Sequence, residues 1–315
     1  MKNLGLVILI EDFISEWLDW SKEAGLTSLG LHKIAIPGTD SVNELLKQLN
    51  NETRTMINRF QDNGIKIEYE LHALEWLLPR KLFSDKPELF RVKDGKRVSD
   101  LNCCSSNKDA LEIISENSYK LAKLLKQESS DYYFWTDDAM DGFCECERCC
   151  SFSASDQNML IVNAMQKGVK AYDSNAKMSY LAYASALQVP VIKPDEGVFL
   201  EFAPMHRNQD KPITAADEDR SINYISLLKK LLEIFPAENS QILEYWLDVA
   251  MYSGYKYPPV KVPFKSDRII EEAKFYNSLG IGTIKSFASY ISHEYKKLHG
   301  EPPFTDFGSV FNSLY

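Results

Sequence analysis

Apolar positions along the chain follow two alternating periods. EWLDWSKEAG, TRTMINRFQDNG and KFYNSLG carry them at helical spacing, and each segment ends on a glycine, Gly25, Gly64 or Gly280. A glycine there suits a helix C-terminus, because it tolerates left-handed backbone. Each segment runs straight into a β-branched and aromatic stretch, LTSLGLHKIAI, IKIEYELHA and IGTIKSFASY. The repeated unit is helix into strand.

Eight such runs are predicted as strands: Gly5–Ile10, Ser28–Ile36, Ile65–Leu74, Asp131–Thr136, Lys177–Tyr183, Val198–Phe202, Gln241–Leu247 and Gly282–Ser289. Several are apolar on both faces, as buried parallel strands are. Helical spacing links Leu111, Ile114, Leu121 and Leu125, and again Val162, Met165, Val169 and Tyr172, with Ser155 or Asp156 as the expected N-cap of the second helix. Eight strands alternating with helices over 315 residues predict an α/β fold, a (β/α)8 TIM barrel forming a single domain over 1–315. A doubly wound open sheet is the alternative, but no glycine-rich phosphate loop follows LVILIEDF. The longer connections, Trp76 to Asn107 and Pro204 to Ser221, both follow strands, on the face where such barrels place their sites.

A net charge of -9 and a pI near 5.2 leave no Lys/Arg stripe to displace counterions, which excludes a nucleic-acid partner. MKNLGLVILIEDF imitates a signal peptide, but its apolar run meets Glu11 and Asp12 at once and lacks a small-residue cleavage site. No stretch approaches the roughly 20 apolar residues of a membrane span. The expectation is a soluble, cytoplasmic chain. The 6 cysteines, in two clusters in a chain too large to need disulfide staples, fit a reducing compartment.

In a barrel, the residues ending each strand point toward one pocket. Here they are His72 and Glu75-Trp76, Trp135 and Asp137-Asp138, Tyr183, Glu201 with His206-Arg207, Glu244-Tyr245-Trp246 with Asp248, and Ser289-Tyr290. Carboxylates beside flat rings suit a sugar, whose hydroxyls need acceptors and whose C–H faces stack on aromatics. Trp76, Trp135, Tyr183, Tyr245, Trp246 and Tyr290 are the expected subsite walls; His72, Glu201, Arg207, Glu244 and Asp248 are the expected hydroxyl binders. His206-Arg207 either meets a substrate hydroxyl or carboxylate or pairs with neighbouring acids. His32 is expected to pack. Glu244, Trp246 and Asp248 are expected on one strand face.

Two adjacent carboxylates cannot both face inward from a regular strand, so Asp137 and Asp138 are expected just past its end, where a bend admits both. Brought close, they resist simultaneous ionisation, leaving one protonated as general acid and the other anionic. The competing reading is a capping or loop acid pair, with Glu244 as the substitute acid. CECERCC offers C-x-C-x-x-C, and Cys103 with Cys144, Cys146 and Cys149 could hold a structural zinc; buried free thiols are the alternative. Catalytic zinc is disfavoured, because four thiolates leave no open position. No other cofactor is expected, and the oligomeric state is open.

HALEWLLPRKLF with PELFRVKDGKR, FWTDDAMDGFCECERC, SYLAYAS, EFAPMHR, LEYWLDVAMYS and SFASYI, in this order, resemble the bacterial domain-of-unknown-function 4838 proteins, part of which is classed as glycoside hydrolase family 163. The resemblance covers about residues 65–295. It implies a TIM-barrel glycosidase related to hexosaminidases, some of which release complex N-glycans by cutting at N-acetylglucosamine. Related hexosaminidases use an adjacent acid pair, and Asp137 and Asp138 match it: Asp137 would orient the sugar's 2-acetamido group and Asp138 protonate the leaving oxygen. No second nucleophilic carboxylate is then needed at the retaining separation of about 5 Å. Unlike secreted members with added β-rich domains, this chain reads as a bare barrel without a leader, which implies work on small imported glycans. A non-catalytic carbohydrate-binding barrel and a uronic-acid glycosidase, with Arg207 on the substrate carboxylate, are the competing functions. A zinc-dependent hydrolase is a third.

Overall fold

The computed structural model describes residues 3–34, 39–215 and 222–312. Among the described residues there are ten strands: β1 Asn3–Leu9, β2 Ser28–His32, β3 Lys66–His72, β4 Val92–Lys93, β5 Lys96–Arg97, β6 Asp131–Trp135, β7 Lys177–Ala182, β8 Val198–Phe202, β9 Gln241–Glu244 and β10 Thr283–Phe287. Eight of them close a barrel in the order β1-β10-β9-β8-β7-β6-β3-β2, while β4 and β5 pair separately as a short hairpin. The pairings whose register is defined in the barrel are parallel, as the expected fold requires. β2 stops at His32, short of the expected Ile36, with Lys33 and Ile34 outside the strand; residues 35 and 36 and the end of the Pro204–Ser221 connection lie outside the described residues.

The strands are buried on both faces, with VFLEF of β8 buried at every position. This follows from helices covering the outside and side chains filling the inside. The chain condenses into two compact units, one from the described residues of 1–32, 48–68 and 202–315, the other from 33–47 and 69–201.

In the first unit, Lys285 of β10 ion-pairs with Glu68 of β3 at 2.8 Å, both side chains almost wholly buried. Gly5 pairs in register with both Ser28 and Lys285, and a Cβ there would come within 2.8 Å of Ser28 Oγ and 3.0 Å of Lys285 Cγ. The missing side chain makes room for the lysine stem. Trp17 is clasped by Trp20 and Phe304 and donates its indole N–H to the Ile291 carbonyl, which fixes the first helix, Trp17–Glu23.

In the second unit, the helices Lys108–Leu124 and Ala154–Tyr172 lie side by side. Gly168 permits it: a Cβ would fall 2.0 Å from the Ser115 carbonyl oxygen. Asn107 caps the first helix by accepting the N–H groups of Asp109 and Ala110. The second is capped two or three residues before the expected positions, on Ser153, and the Asp156 side chain accepts from the Ser153 N–H to complete a capping box.

Candidate active site

β6 ends at Trp135, and Thr136 and Asp137 bend out of the strand as the alternation argument requires. Asp137 is held by three groups that are distant in sequence or carried by another loop. The Arg80 guanidinium donates from Nη2 to Asp137 Oδ2, and the Asn102 N–H donates to the same oxygen at 2.5 Å. The Asp137 N–H in turn donates to Asn102 Oδ1 at 2.9 Å, and Arg80 Nη1 donates to the Asn102 carbonyl at 2.7 Å. Among the described residues neither bond to the carboxylate falls on Oδ1. Asp138 is exposed, and among the described residues no hydrogen bond or ion pair engages its carboxylate.

A guanidinium engages Asp137 while Asp138 is exposed, so the two carboxylates differ in surroundings. Arg80 and Asn102 were not among the expected site residues; an arginine in an unpatterned loop gives no periodic signal. Glu75, one turn beyond β3, joins the same group. Burial pushes its carboxyl up, Arg80 opposes, and the charges of Asp137 and Asp40 add.

A cleft beside Asp137 is lined by His72, Thr136, Phe143, Leu181 and Tyr183. His72 Nδ1 lies 2.6 Å from the Thr136 carbonyl oxygen, which only accepts, so the proton sits on Nδ1. Trp76 is half-buried and donates to Asn43 at 3.2 Å.

Two expected sugar contacts of this unit are interior instead. Trp135 is 2% exposed and donates its indole N–H to Glu201 Oε2 at 2.9 Å, and Ser179 also donates to that oxygen. Both Trp135 and Glu201 sit on strands with their side chains in the packed interior, so neither offers a face or an oxygen to a ligand.

The other unit corrects the expected strand-seven face. β9 stops at Glu244, and Asp248 caps the turn Val249–Tyr252 by accepting the Met251 N–H. The shared face does not form because the strand ends too early. Glu244 points to the covering helix Ser266–Ser278, where Tyr276 donates to it, and both of its carboxylate oxygens accept from the single nitrogen Nη2 of Arg207, at 3.0 and 2.9 Å. Arg207 also pairs with Glu272 at 2.8 Å, as does Arg268 at 3.2 Å, and Trp246 donates to Glu272 at 2.5 Å. The network is fully buried. Burial and the Glu244 charge push the Glu272 carboxyl up, with both arginines opposing. Glu244 is thus held in a buried network with Arg207 and Tyr276, and Arg207 is committed to carboxylates of its own chain. Tyr245 is buried and stacked on Phe287 at 5.3 Å; His206 is exposed. His32 packs edge-on against Phe287, as expected.

A second acid pair emerges here. Asp12, the last residue of the 3-10 turn Ile10–Asp12 that follows β1, is buried and its carboxyl is pushed up to about 7, by burial first and by the Asp248 charge, against the stabilising Tyr290 N–H. Asp248 is pushed up to about 6, again by burial, against hydrogen bonds from Met251, Ser289 and Ala250. Tyr290 adopts a left-handed backbone with φ 64° and donates its N–H to Asp12 Oδ2 at 2.6 Å. Tyr257, 54% exposed, stacks on the Tyr290 ring at 4.3 Å. Tyr290 was expected as a sugar platform, and Asp12 was missed because it reads as the polar end of a strand.

The cysteines gather as expected, with one change of member. Cys104, Cys144, Cys146 and Cys149 converge, with their sulfurs all within 4.8 Å of one another. Cys103, the expected fourth ligand, lies outside this set: its side chain leaves the backbone in a different direction from that of its neighbour.

A family model, Domain of unknown function (DUF4838), matches residues 41–297. No curated protein matches the chain. By structure the chain is similar to a β-N-acetylhexosaminidase from Bacteroides fragilis NCTC 9343, at 11% identity and TM-score 0.56, over 98% of this chain and 65% of that one. It is also similar to a β-galactosidase from the psychrophilic Marinomonas ef1, at 9% and 0.58, over 99% and 59%. A glycoside hydrolase family 5 enzyme from Prevotella bryantii B14 superimposes at 10% and 0.53, over 99% and 95%. The chain spans less than two thirds of the length of the first two. At these identities the likeness is one of fold, a barrel shared with glycoside hydrolases. With most of its length matched, from β-strand through acid pair to cysteine cluster, the chain belongs to the Domain of unknown function (DUF4838) family.

Proposed function

We propose that the chain is a glycoside hydrolase acting on N-acetylhexosamine-containing glycans by a substrate-assisted retaining mechanism, with Asp137 and Asp138 at its centre. The observation that carries this is the asymmetry of the pair. Asp137 is clamped through Oδ2 by Arg80 and Asn102, which aims Oδ1 as an acceptor, while Asp138 beside it is exposed and unengaged. A fixed acceptor suits the acetamido N–H; an unengaged carboxyl suits a proton donor.

In this mechanism Oδ1 of Asp137 accepts from the acetamido N–H and orients its carbonyl oxygen toward C1. That oxygen attacks C1, the glycosidic C–O bond breaks, and Asp138 gives its proton to the departing oxygen. Water then attacks C1 from the vacated face, Asp138 takes its proton, and the acetamido group is released with retention. Holding the nucleophile in place supplies much of the acceleration.

The glycoside hydrolases among the structural neighbours support the reaction class, and the Bacteroides hexosaminidase the acetamido sugar. The uronide reading loses its support, because the Arg207 guanidinium is buried against Glu244 and Glu272. The test is a panel of aryl β-N-acetylhexosaminides, aryl uronides and a complex N-glycan, with N-acetylglucosamine-thiazoline added to any positive. Cleavage of an acetamido sugar that the thiazoline blocks supports the proposal; glycan binding without turnover moves it to a binding protein.

A further inference from the structure

We propose that Cys104, Cys144, Cys146 and Cys149 bind one zinc ion that crosslinks the loop carrying Asn102 to the loop that follows Asp138. This binding does not depend on the sugar chemistry proposed above. Zinc takes four thiolates tetrahedrally at about 2.3 Å, which sets neighbouring sulfurs about 3.8 Å apart. Cys104 Sγ lies 3.6 Å from Cys146 Sγ and 3.8 Å from Cys149 Sγ, and all four sulfurs lie within 4.8 Å of one another. A disulfide needs about 2.05 Å, and a sulfur almost equidistant from two others is not paired with either.

The surroundings fit a charged cluster better than a piece of core. Four thiolates on Zn²⁺ carry two net negative charges, which N–H and O–H donors stabilise. The Val92 N–H points at Cys144 Sγ at 3.3 Å, and the Cys146 N–H at the same sulfur at 3.5 Å. Ser105 Oγ and Ser106 Oγ lie 3.5 and 3.1 Å from Cys149 Sγ, and the Arg97 guanidinium reaches Cys104. A hydrophobic cluster gains nothing from two amide N–H groups, two hydroxyls and a guanidinium around its sulfurs. The C-x-C-x-x-C turn itself is closed by the Cys149 N–H on the Cys146 carbonyl at 2.8 Å, which folds its three sulfurs to one side.

The consequence reaches the acid pair through the chain. Asn102, two residues before Cys104, makes both backbone and side-chain bonds to Asp137 and donates from Nδ2 to the Gly142 carbonyl at 3.0 Å, two residues before Cys144. A metal bound between these segments fixes the same two loops that Asn102 joins.

The test is zinc content of the purified full chain, measured by plasma mass spectrometry without chelators. The expected result is about one zinc per chain, lost in Cys104→Ser and Cys149→Ser and kept in Cys150→Ser, whose sulfur is exposed and turned to the Glu147 carbonyl. Should the ligand variants not fold, chain produced with cobalt is expected to show the intense visible absorption of a tetrahedral cobalt thiolate. Iron in place of zinc, disulfides by mass spectrometry, or four thiols that all react with Ellman's reagent in the native chain would overturn the proposal.

Discussion

Arg80 and Asp137 form a part-buried ion pair in which the guanidinium also donates to the Asn102 carbonyl, while the Asn102 N–H donates to the same Asp137 oxygen. The three residues make a closed triangle, 22 and 35 residues apart in the chain. Its effect is to turn a loop carboxylate into a fixed acceptor.

Arg80→Met opens that triangle. Charge-assisted hydrogen bonds of this kind contribute about 1.5–3 kcal/mol, so a modest drop in the urea midpoint is expected. Turnover of an aryl N-acetylhexosaminide is expected to fall further, by on the order of 10²-fold, because positioning is lost as well. Arg80→Lys keeps the charge without the fork and should recover only part of the rate. Equal losses of rate and stability would reduce Arg80 to a structural role.

Asp138→Asn removes the proton donor and touches no described partner. The expected loss is about 10²–10⁴-fold in kcat, with circular dichroism and glycan binding unchanged. Glycosides with a dinitrophenolate leaving group, which departs without a proton, should lose much less. Retained activity on ordinary glycosides excludes Asp138 as the acid, and Glu75→Gln is then the variant to measure.

Arg207→Met leaves Glu244 buried without a cation and Glu272 with Arg268 alone. Removing one member of a buried ion network costs about 3–5 kcal/mol, read from urea unfolding monitored by tryptophan fluorescence. A rise in KM at unchanged stability would instead place Arg207 on the substrate.

Asp12 and Asp248 give the fold a dependence on pH opposite in sign to that of a salt-bridged carboxylate. Their ordinary value is 3.8, and burial raises them to about 7 and about 6. Across that window the folded chain holds more protons than the unfolded one, so stability falls as pH rises. Their contribution is full below about pH 4 and lost through pH 6 to 7. Asp12→Asn cannot ionise, yet keeps an oxygen for the Tyr290 N–H. Relative to the unsubstituted chain it is expected to gain a few kcal/mol between pH 5 and pH 8; parallel curves in urea unfolding would show that Asp12 is not the group responsible.

Much of the architecture was legible because it rests on local chemistry. Helical spacing, a glycine at each helix end and runs apolar on both faces sufficed for eight alternating strands, and those rules act over a few residues. The position of Asp137 just past β6 followed from the two-residue alternation of a strand, and the cysteine cluster from spacing.

What the chain by itself determined, then, is the barrel, the acid pair at a strand end and a gathering of thiols, all properties of periodicity and short spacing. Only the tertiary structure decided which side chains meet. The rings and acids of β6, β8 and β9 looked alike in sequence, yet Trp135 bonds Glu201 in the interior, and Glu244 turns outward to Arg207 because the register of β9 sets its face. Arg80, Asn102 and Asp12 carry no local signal, since their roles come from partners 22 to 278 residues away. The choice of Cys104 over Cys103 is of the same kind: neighbouring side chains leave the backbone in different directions, so one residue of offset decides which thiol joins the cluster.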